Sequence, residues 1–257
     1  MTQAQQPTAL PPPRLVRFLS ELAVADIAVS HKNFTERLGR LVDLSGSIAL
    51  ARVHGTLATT TATSGQETGA AVSGESMIEA FLARRAAIIE SISKSFAPGK
   101  RASWSVFPGA MAATPAGDAA SYERYKVFYL HQQREIASRL DELRAAIRAA
   151  LAARSSRLAR LAVLDATLDE TLSAATQRVF SEVPGLLGRR FQYLYRCHQQ
   201  KISGQQGEDL PQSWVQPGGW LDQFAREMQG SLLAELEARL QPLVGLLEAL
   251  DEEVNGS

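Results

Sequence analysis

The residues with the strongest claim to chemistry lie between Arg189 and Lys201: Arg189, Arg190, Tyr193, Tyr195, Arg196 and Lys201. Interleaved cations and rings are how proteins neutralise phosphates while stacking on bases, so the pattern points to nucleic acid. It serves equally as a contact patch for an acidic protein partner. The four cations here are few for a nucleic-acid domain, and Tyr193 and Tyr195 would also suit a core. Cys197-His198 sets a nucleophile type beside a base type. Neighbouring helical residues point about 100° apart, so the two do not form a hydrogen-bonded dyad, and a structural cysteine is expected. His31, His54 and His131 stand at no metal-ligand spacing. Pro98-Gly99-Lys100-Arg101 resembles the end of a phosphate loop, but Lys94 replaces the loop's first glycine and Arg101 its hydroxyl residue. No catalytic, cofactor or metal site is expected, and the chain reads as non-enzymatic.

The element that must position these residues is the stretch from Asp118 to Val183, 66 residues without a glycine or proline. Tyr129, Ile136, Leu140, Leu143, Ile147, Leu151, Leu158, Leu161, Leu168, Leu172 and Val179 recur in it mostly at threes, fours and sevens. That is the helical period, not the strand period of two. The stretch is therefore one very long helix, spanning roughly 100 Å, or a helical hairpin with a plain turn. The register slips near Arg154-Ser155-Ser156-Arg157, the place for a turn or a local rewinding if the stretch has one. Pro184-Gly185 should end or kink the element, with a further helix from Leu186 to Ile202.

Taken in order, residues 1–13 form a Gln-, Pro- and Thr-rich tail and residues 14–54 a helical hairpin. Residues 55–74, small and polar, read as a flexible linker, and 75–96 as a helix. Residues 97–117 are a loop bearing Trp104, Val106, Phe107 and Met111, expected to cover a helix surface in this chain or a partner. The central helical region runs from 118 to 202, followed by a second linker over 203–219 and an acidic helix over 220–254. In that last helix Leu236, Leu240, Leu243, Leu247, Leu250 and Val254 form a coiled-coil seam, with Pro242 inside it predicting a kink or restart. A seam with no second seam in its own chain predicts a homo-oligomer. The fold class is all-α: an extended, coiled-coil-like helical bundle with linkers.

Composition sets outer bounds. Lys and Arg total 27 and Asp and Glu 27, so the net charge is zero. Residues 184–207 nevertheless hold Arg189, Arg190, Arg196 and Lys201 against no acid, whereas 208–257 hold ten acids against Arg226 and Arg239. Pairing of the two segments, within or between subunits, is the simplest account. The acids in Asp141-Glu142, Asp169-Glu170 and Asp251-Glu252-Glu253 read as solvated helix faces. The arginines Arg139, Arg144, Arg148, Arg154, Arg157 and Arg160 face phosphate, an acidic partner or water. The single cysteine excludes an internal disulfide and fits a reducing compartment. The start shows no secretory pattern, and no stretch approaches the roughly 20 apolar residues of a membrane span. The expected location is cytoplasmic, without direct membrane insertion.

Three stretches resemble an uncharacterised family of all-helical bacterial proteins. They are Leu15-Val-Arg-Phe-Leu-Ser-Glu-Leu-Ala-Val-Ala-Asp26; Leu161-Ala-Val-Leu-Asp-Ala-Thr-Leu-Asp-Glu170 with Val183-Pro-Gly-Leu-Leu187 and Arg190-Phe191; and Gly219-Trp-Leu-Asp-Gln-Phe224 with Leu232-Leu-Ala-Glu-Leu236 and Arg239-Leu-Gln-Pro-Leu243 onward to Leu250. The Leu-Asp-x-x-Leu-Asp-Glu and Arg-Leu-Gln-Pro segments are its most specific parts. The resemblance implies operons that encode MotA-like and OmpA/MotB-like membrane proteins, similar to Zorya-class anti-phage systems. It implies an accessory or effector subunit docked on a membrane-anchored motor, peripheral at the inner membrane through that partner. It carries no catalytic motif. Nucleic-acid binding through residues 189–201 is the alternative.

Overall fold

A computed structural model describes residues 48, 51–53, 55, 74–97, 106–109, 121–203 and 209–255. The tail 1–13, the hairpin 14–54 and the linker 55–74 lie outside these residues, save for Gly74 and the few positions between 48 and 55; Trp104 and Met111 lie outside them too. Among the described residues every regular element is a helix. In chain order they are α1 (Gly74–Phe96), α2 (Glu123–Arg154), α3 (Ser156–Ile202), α4 (Pro211–Trp214) and α5 (Trp220–Asn255).

The long apolar-periodic stretch is a hairpin. One residue, Ser155, leaves helical geometry, with φ −155° and ψ 158°. Its Oγ accepts from Leu158 N at 3.2 Å and caps α3. Serine is among the preferred caps because its side chain satisfies an amide the first turn leaves unpaired. The two arms then run antiparallel: Arg144 and Arg148 meet Asp165 near the turn, and Tyr122 meets Pro184 and Phe191 at the far end. With α1 and α5 they make an up-down four-helix bundle. α2 and α5 lie at its centre, each touching α1, α3 and one another.

Pro184 does not end the helix; α3 continues through it to Ile202. A proline lacks an N–H, so the carbonyl four residues earlier loses its helical donor. That carbonyl belongs to Phe180, and Gln133 Nε2 on α2 donates to it at 3.2 Å. The carbonyl of Pro184 accepts the Tyr122 hydroxyl at 2.5 Å. One turn on, Gly188 provides the space: a Cβ there would stand 2.9 Å from Tyr122 Cε1. Tyr122 cannot readily yield, because it is hydrogen bonded and packed between Phe191 and Phe224. Gly188→Ala should therefore lose roughly 1–2 kcal/mol net, overpacking outweighing the gain in helix propensity of about 1 kcal/mol. In a Tyr122→Ala background the same change should stabilise; a urea midpoint that rises in the wild-type background would refute the account.

The core is graded along the bundle. At one end Phe96, Phe107, Tyr125, Phe128, Phe191, Phe224 and Trp220 pack ring on ring, in edge-to-face, tilted and stacked pairs at centroid separations of 5.1–5.8 Å. Phe107, in the loop after α1, covers this bundle's own aromatic end, and its amide donates to Ser95 O at 2.6 Å. At the other end Leu143, Ile147, Leu151, Leu158, Leu243, Leu247 and Leu250 pack together. α5 runs through Pro242 without a restart. Leu236, Leu240, Leu243, Leu247 and Leu250 are all buried against α1, α2 and α3. These five seam residues find their partners within the chain, so the seam is not a free surface for a second copy.

Between the two ends sits a buried carboxylate. Glu235 is 0 % exposed. Its Oε1 accepts from Arg239 Nη2 at 2.7 Å, and its Oε2 from Gln133 Nε2 at 2.8 Å and the Tyr129 hydroxyl at 3.1 Å. Arg239 in turn lies 4.1 Å over the Phe180 ring. This knot ties α2, α3 and α5 together. Burial, followed by the charge and hydrogen bond of Glu235, holds the Tyr129 phenol well above its ordinary value. Burial also pushes Tyr125 up to about 12. A raised phenol favours the fold while neutral, so its contribution is present below pH ~10 and is lost as pH rises beyond it. Urea midpoints should fall above about pH 10, and Tyr129→Phe should shrink that alkaline decline. An equally steep decline in the variant would assign it elsewhere.

Candidate functional site

The structure divides the basic, aromatic stretch between faces of α3. Arg190, Tyr193 and Lys201 line a cleft of about 480 Å³ together with Leu194, Cys197 and His198. Its opposite wall is Ser213, Trp214, Gly218, Gly219, Trp220 and Gln223, from the α4–α5 turn. Tyr195 lies beside that wall, 5.4 Å from the Trp220 ring and 6.4 Å from Trp214. Arg189 and Arg196 face solvent, and Arg196 Nε reaches only Gln192 O at 3.4 Å on its own helix.

Arg190 is not a free cation. Its Nε donates to Glu227 Oε2 at 2.8 Å and its Nη2 to Glu227 Oε1 at 2.7 Å, a bidentate pair. Those hydrogen bonds carry its guanidinium above its ordinary value against the opposing effect of burial. Gln223 Nε2 supports the same carboxylate at 3.0 Å. His198 Nε2 faces Asp209 Oδ1 at 3.0 Å, and Trp214 Nε1 donates to that same oxygen at 2.5 Å. Cys197 and His198 share a cleft, but among the described residues no hydrogen bond joins them. Among the described residues no acid pairs with Arg189, Arg196 or Lys201. The tryptophan wall, Asp209 and Glu227 were not legible as parts of one site: charge blocks indicate that two segments attract, not which side chains meet.

The turn depends on two glycines. Gly218 has φ +87°, in the left-handed region, and its amide donates to Asp222 Oδ2 at 3.0 Å. A Cβ at Gly219 would stand 2.2 Å from Trp214 O and 2.7 Å from Ser213 O. Both are backbone atoms, so Gly219→Ala must displace α4. The expected loss is about 1–3 kcal/mol, with a red-shifted tryptophan emission as Trp214 leaves its pocket; unchanged emission would refute it.

Nearer the hairpin turn, four side chains form a half-buried ion cluster. Arg144 Nη2 donates to Asp165 Oδ1 at 2.5 Å and its Nε to Asp165 Oδ2 at 2.9 Å; its Nη1 pairs with Asp169. Arg148 Nε donates to Asp165 Oδ2 at 2.7 Å and its Nη2 to Asp169 Oδ2 at 3.1 Å. Asp169 thus belongs to a cluster rather than to a solvated face, which corrects the sequence expectation, whereas Glu170 is exposed. Two of the hairpin arginines are engaged inside the chain. Arg157 reaches Glu253 at 3.4 Å on the surface.

Beyond Asp165 the burial of α3 changes. From 166 to 179 no residue is buried, and Leu168 and Val179 are exposed at 39 % and 50 %. Both belong to the helical apolar period read from the sequence. On α1, Leu82 is likewise exposed.

Residues 1–252 match the profile of a family described as "Protein of unknown function (DUF3348)". The chain belongs to this family. No curated protein and no solved structure matches it. Within this DUF3348 chain, the two aspartates of Leu-Asp-x-x-Leu-Asp-Glu are Asp165 and Asp169, so the segment's visible task is to lock α3 to α2. Arg239 of Arg-Leu-Gln-Pro holds Glu235. Among the described residues no group of three His, Cys, Asp or Glu side chains is placed to hold a metal ion. No described helix of this DUF3348 protein is long and apolar enough to cross a membrane.

Proposed function

We propose that this chain is a non-enzymatic helical accessory subunit that works by docking another protein. The observation that supports it best is an apolar flank of α3. Leu168, Leu172, Ala175 and Val179 step along it at helical spacing, over roughly 20 Å in which no residue is buried. An apolar stripe with Leu168 and Val179 exposed suits an amphipathic helix laid alongside it. Leu168 and Val179 are already exposed, so a partner can reach them without opening the bundle. The resemblance noted in the sequence supplies the partner class: helical cytoplasmic parts of MotA-like or MotB-like proteins in a Zorya-type anti-phage complex. The subunit would then be cytoplasmic and held at the inner membrane through that partner.

Binding of nucleic acid through 189–201 is the second reading. Arg189, Arg196 and Lys201 favour it, being exposed and paired with no described acid. Arg190 counts against it, because Glu227 already neutralises its charge. A pull-down in mild detergent, with and without nuclease, separates the two. Docking predicts that motor-like membrane proteins are retained after nuclease and released by the double variant Leu168→Glu, Val179→Glu, whose urea midpoint stays near wild type. Recovery of nucleic acid alone, with steep salt dependence, would favour the second reading. A self-associating partner on the same stripe would appear as a concentration-dependent oligomer in sedimentation.

A further inference from the structure

We infer that the flank of α3 is a single track for one partner helix, which is apolar where it meets the first half of the track and acidic where it meets the second. The inference rests on the docking reading and adds the partner's chemistry and length. The stripe of Leu168, Leu172, Ala175 and Val179 does not end there. The same alternation of four and three continues through Glu182, Leu186, Arg189, Tyr193 and Arg196. No residue of this track is buried, and Tyr193 is 43 % exposed. Such an alternation is the spacing of a coiled-coil seam, here over roughly 40 Å. The buried side of α3 keeps one phase through Pro184, from Leu158 and Ala162 to Val183, Leu187 and Leu194, so the track crosses the proline unbroken. On a straight helix a seven-residue repeat drifts by about 20° per repeat. The track therefore starts beside the buried side at Leu168 and has turned out to solvent at Arg196, which calls for a partner that crosses α3 with the left-handed twist of a coiled coil.

Charge decides what that helix carries. Glu182 is the one acid on the track and stands at the join of its halves. Beyond it, from 184 to 202, α3 has no acid. Arg190 is closed by Glu227, whereas Arg189 and Arg196, on the track itself, are exposed and pair with no acid among the described residues. Carboxylates beside a seam that faces two arginines select a partner and its register. A phosphate backbone would meet the arginines but leave Leu168 and Val179 in water. A second copy fits worse. Run parallel, it would set Arg189 and Arg196 against themselves. Run antiparallel over the apolar half, it would bring Arg189 to the hairpin turn, where Arg154 and Arg157 stand exposed. The occupant is therefore a helix of another protein, with an apolar seam at one end and aspartates or glutamates at the other.

The test uses the full chain and dye-labelled, blocked helical peptides of four heptads, held below the concentration at which they self-associate. Each peptide has leucine at every seam position of one half. In the other half the positions flanking the seam carry glutamate, lysine or glutamine. Every peptide is made in both polarities, so that parallel and antiparallel partners are sampled, and binding is read by anisotropy. One polarity of the glutamate peptide should bind at least about tenfold more tightly than its lysine and glutamine counterparts. That advantage should vanish in Arg189→Glu, Arg196→Glu, a double variant on exposed side chains whose urea midpoint stays near wild type. Leu168→Glu, Val179→Glu should abolish binding of every peptide. Equal binding of the three peptides, or a glutamate preference that survives the arginine variant, overturns the inference. If the Leu168, Val179 variant still abolishes binding in that case, the docking reading stands without it. Peptides that bind that variant as well as wild type defeat the docking reading itself. Silence of every peptide overturns the inference and leaves docking to the pull-down. A thymidine octanucleotide that binds through Arg189 and Arg196 while no peptide does overturns it in favour of nucleic acid.

Discussion

Glu235→Leu should destabilise the fold by about 3–5 kcal/mol, the range seen when one member of a buried ion pair is removed. The carboxylate is wholly enclosed and holds donors from three side chains. Leucine matches it roughly in size, so the cavity term is small and the loss is electrostatic. Arg239 would lie over the Phe180 ring with no carboxylate beside it, and the Tyr129 hydroxyl would have no acceptor. Arg239 retains 18 % side-chain exposure, which lets it lean toward water and places the expectation nearer 3 than 5 kcal/mol. Equilibrium unfolding in urea measures it. The paired variant Glu235→Leu, Arg239→Met should recover more than half of the loss, because an apolar pair of similar volume replaces the ion pair. A single variant within about 1 kcal/mol of wild type would mean that Glu235 is not the knot described.

Asp165→Asn should lose about 2–3 kcal/mol, and it should flatten the acid side of the stability curve. The side chain is 10 % exposed and receives both Arg144 and Arg148. Asp169 still contacts both arginines, which holds the cost below that of an unpaired buried charge. Burial alone would push the Asp165 carboxyl up, but the hydrogen bonds and charges of Arg144 and Arg148 bring it below its ordinary value of 3.8. A depressed carboxyl favours the fold while ionised. Its contribution is present above about pH 4 and disappears as pH falls through the folded value. Wild type should weaken below that pH more steeply than Asp165→Asn. Parallel acid limbs in urea titrations from pH 7 to pH 2 would refute this.

The all-helical class and the place of the turn were legible because both rest on local signals, whereas the choice between one long helix and a hairpin was not. The absence of glycine and proline, the period of three and four, and the slip at Ser155 need no knowledge of neighbours. The ion cluster was half legible. Once Ser155 is taken as the turn, Arg144 and Arg148 fold back onto the turns around Asp165, and the i, i+4 spacing on both arms pairs them. Glu235 was not legible, since a glutamate four residues before an arginine is the ordinary mark of a solvated helix face. The passage of α3 through Pro184 was hidden for a related reason. The donor that rescues Phe180 O is Gln133, 47 residues away. Leu168 and Val179 mislead because periodicity says that a stripe is apolar, not whether the fold supplies something to cover it.

The grading of the core has an optical consequence. Trp214 and Trp220 are both buried at the aromatic end, whereas the leucine end contains no described tryptophan. Emission and near-ultraviolet dichroism from these two indoles therefore watch only one pole of the bundle. Fraying that starts at the Ser155 turn would be silent in those signals and visible in far-ultraviolet dichroism. Two melting curves that fail to superimpose would reveal subglobal opening at the leucine pole, and a single superimposed transition would show that the rod melts as one cooperative unit.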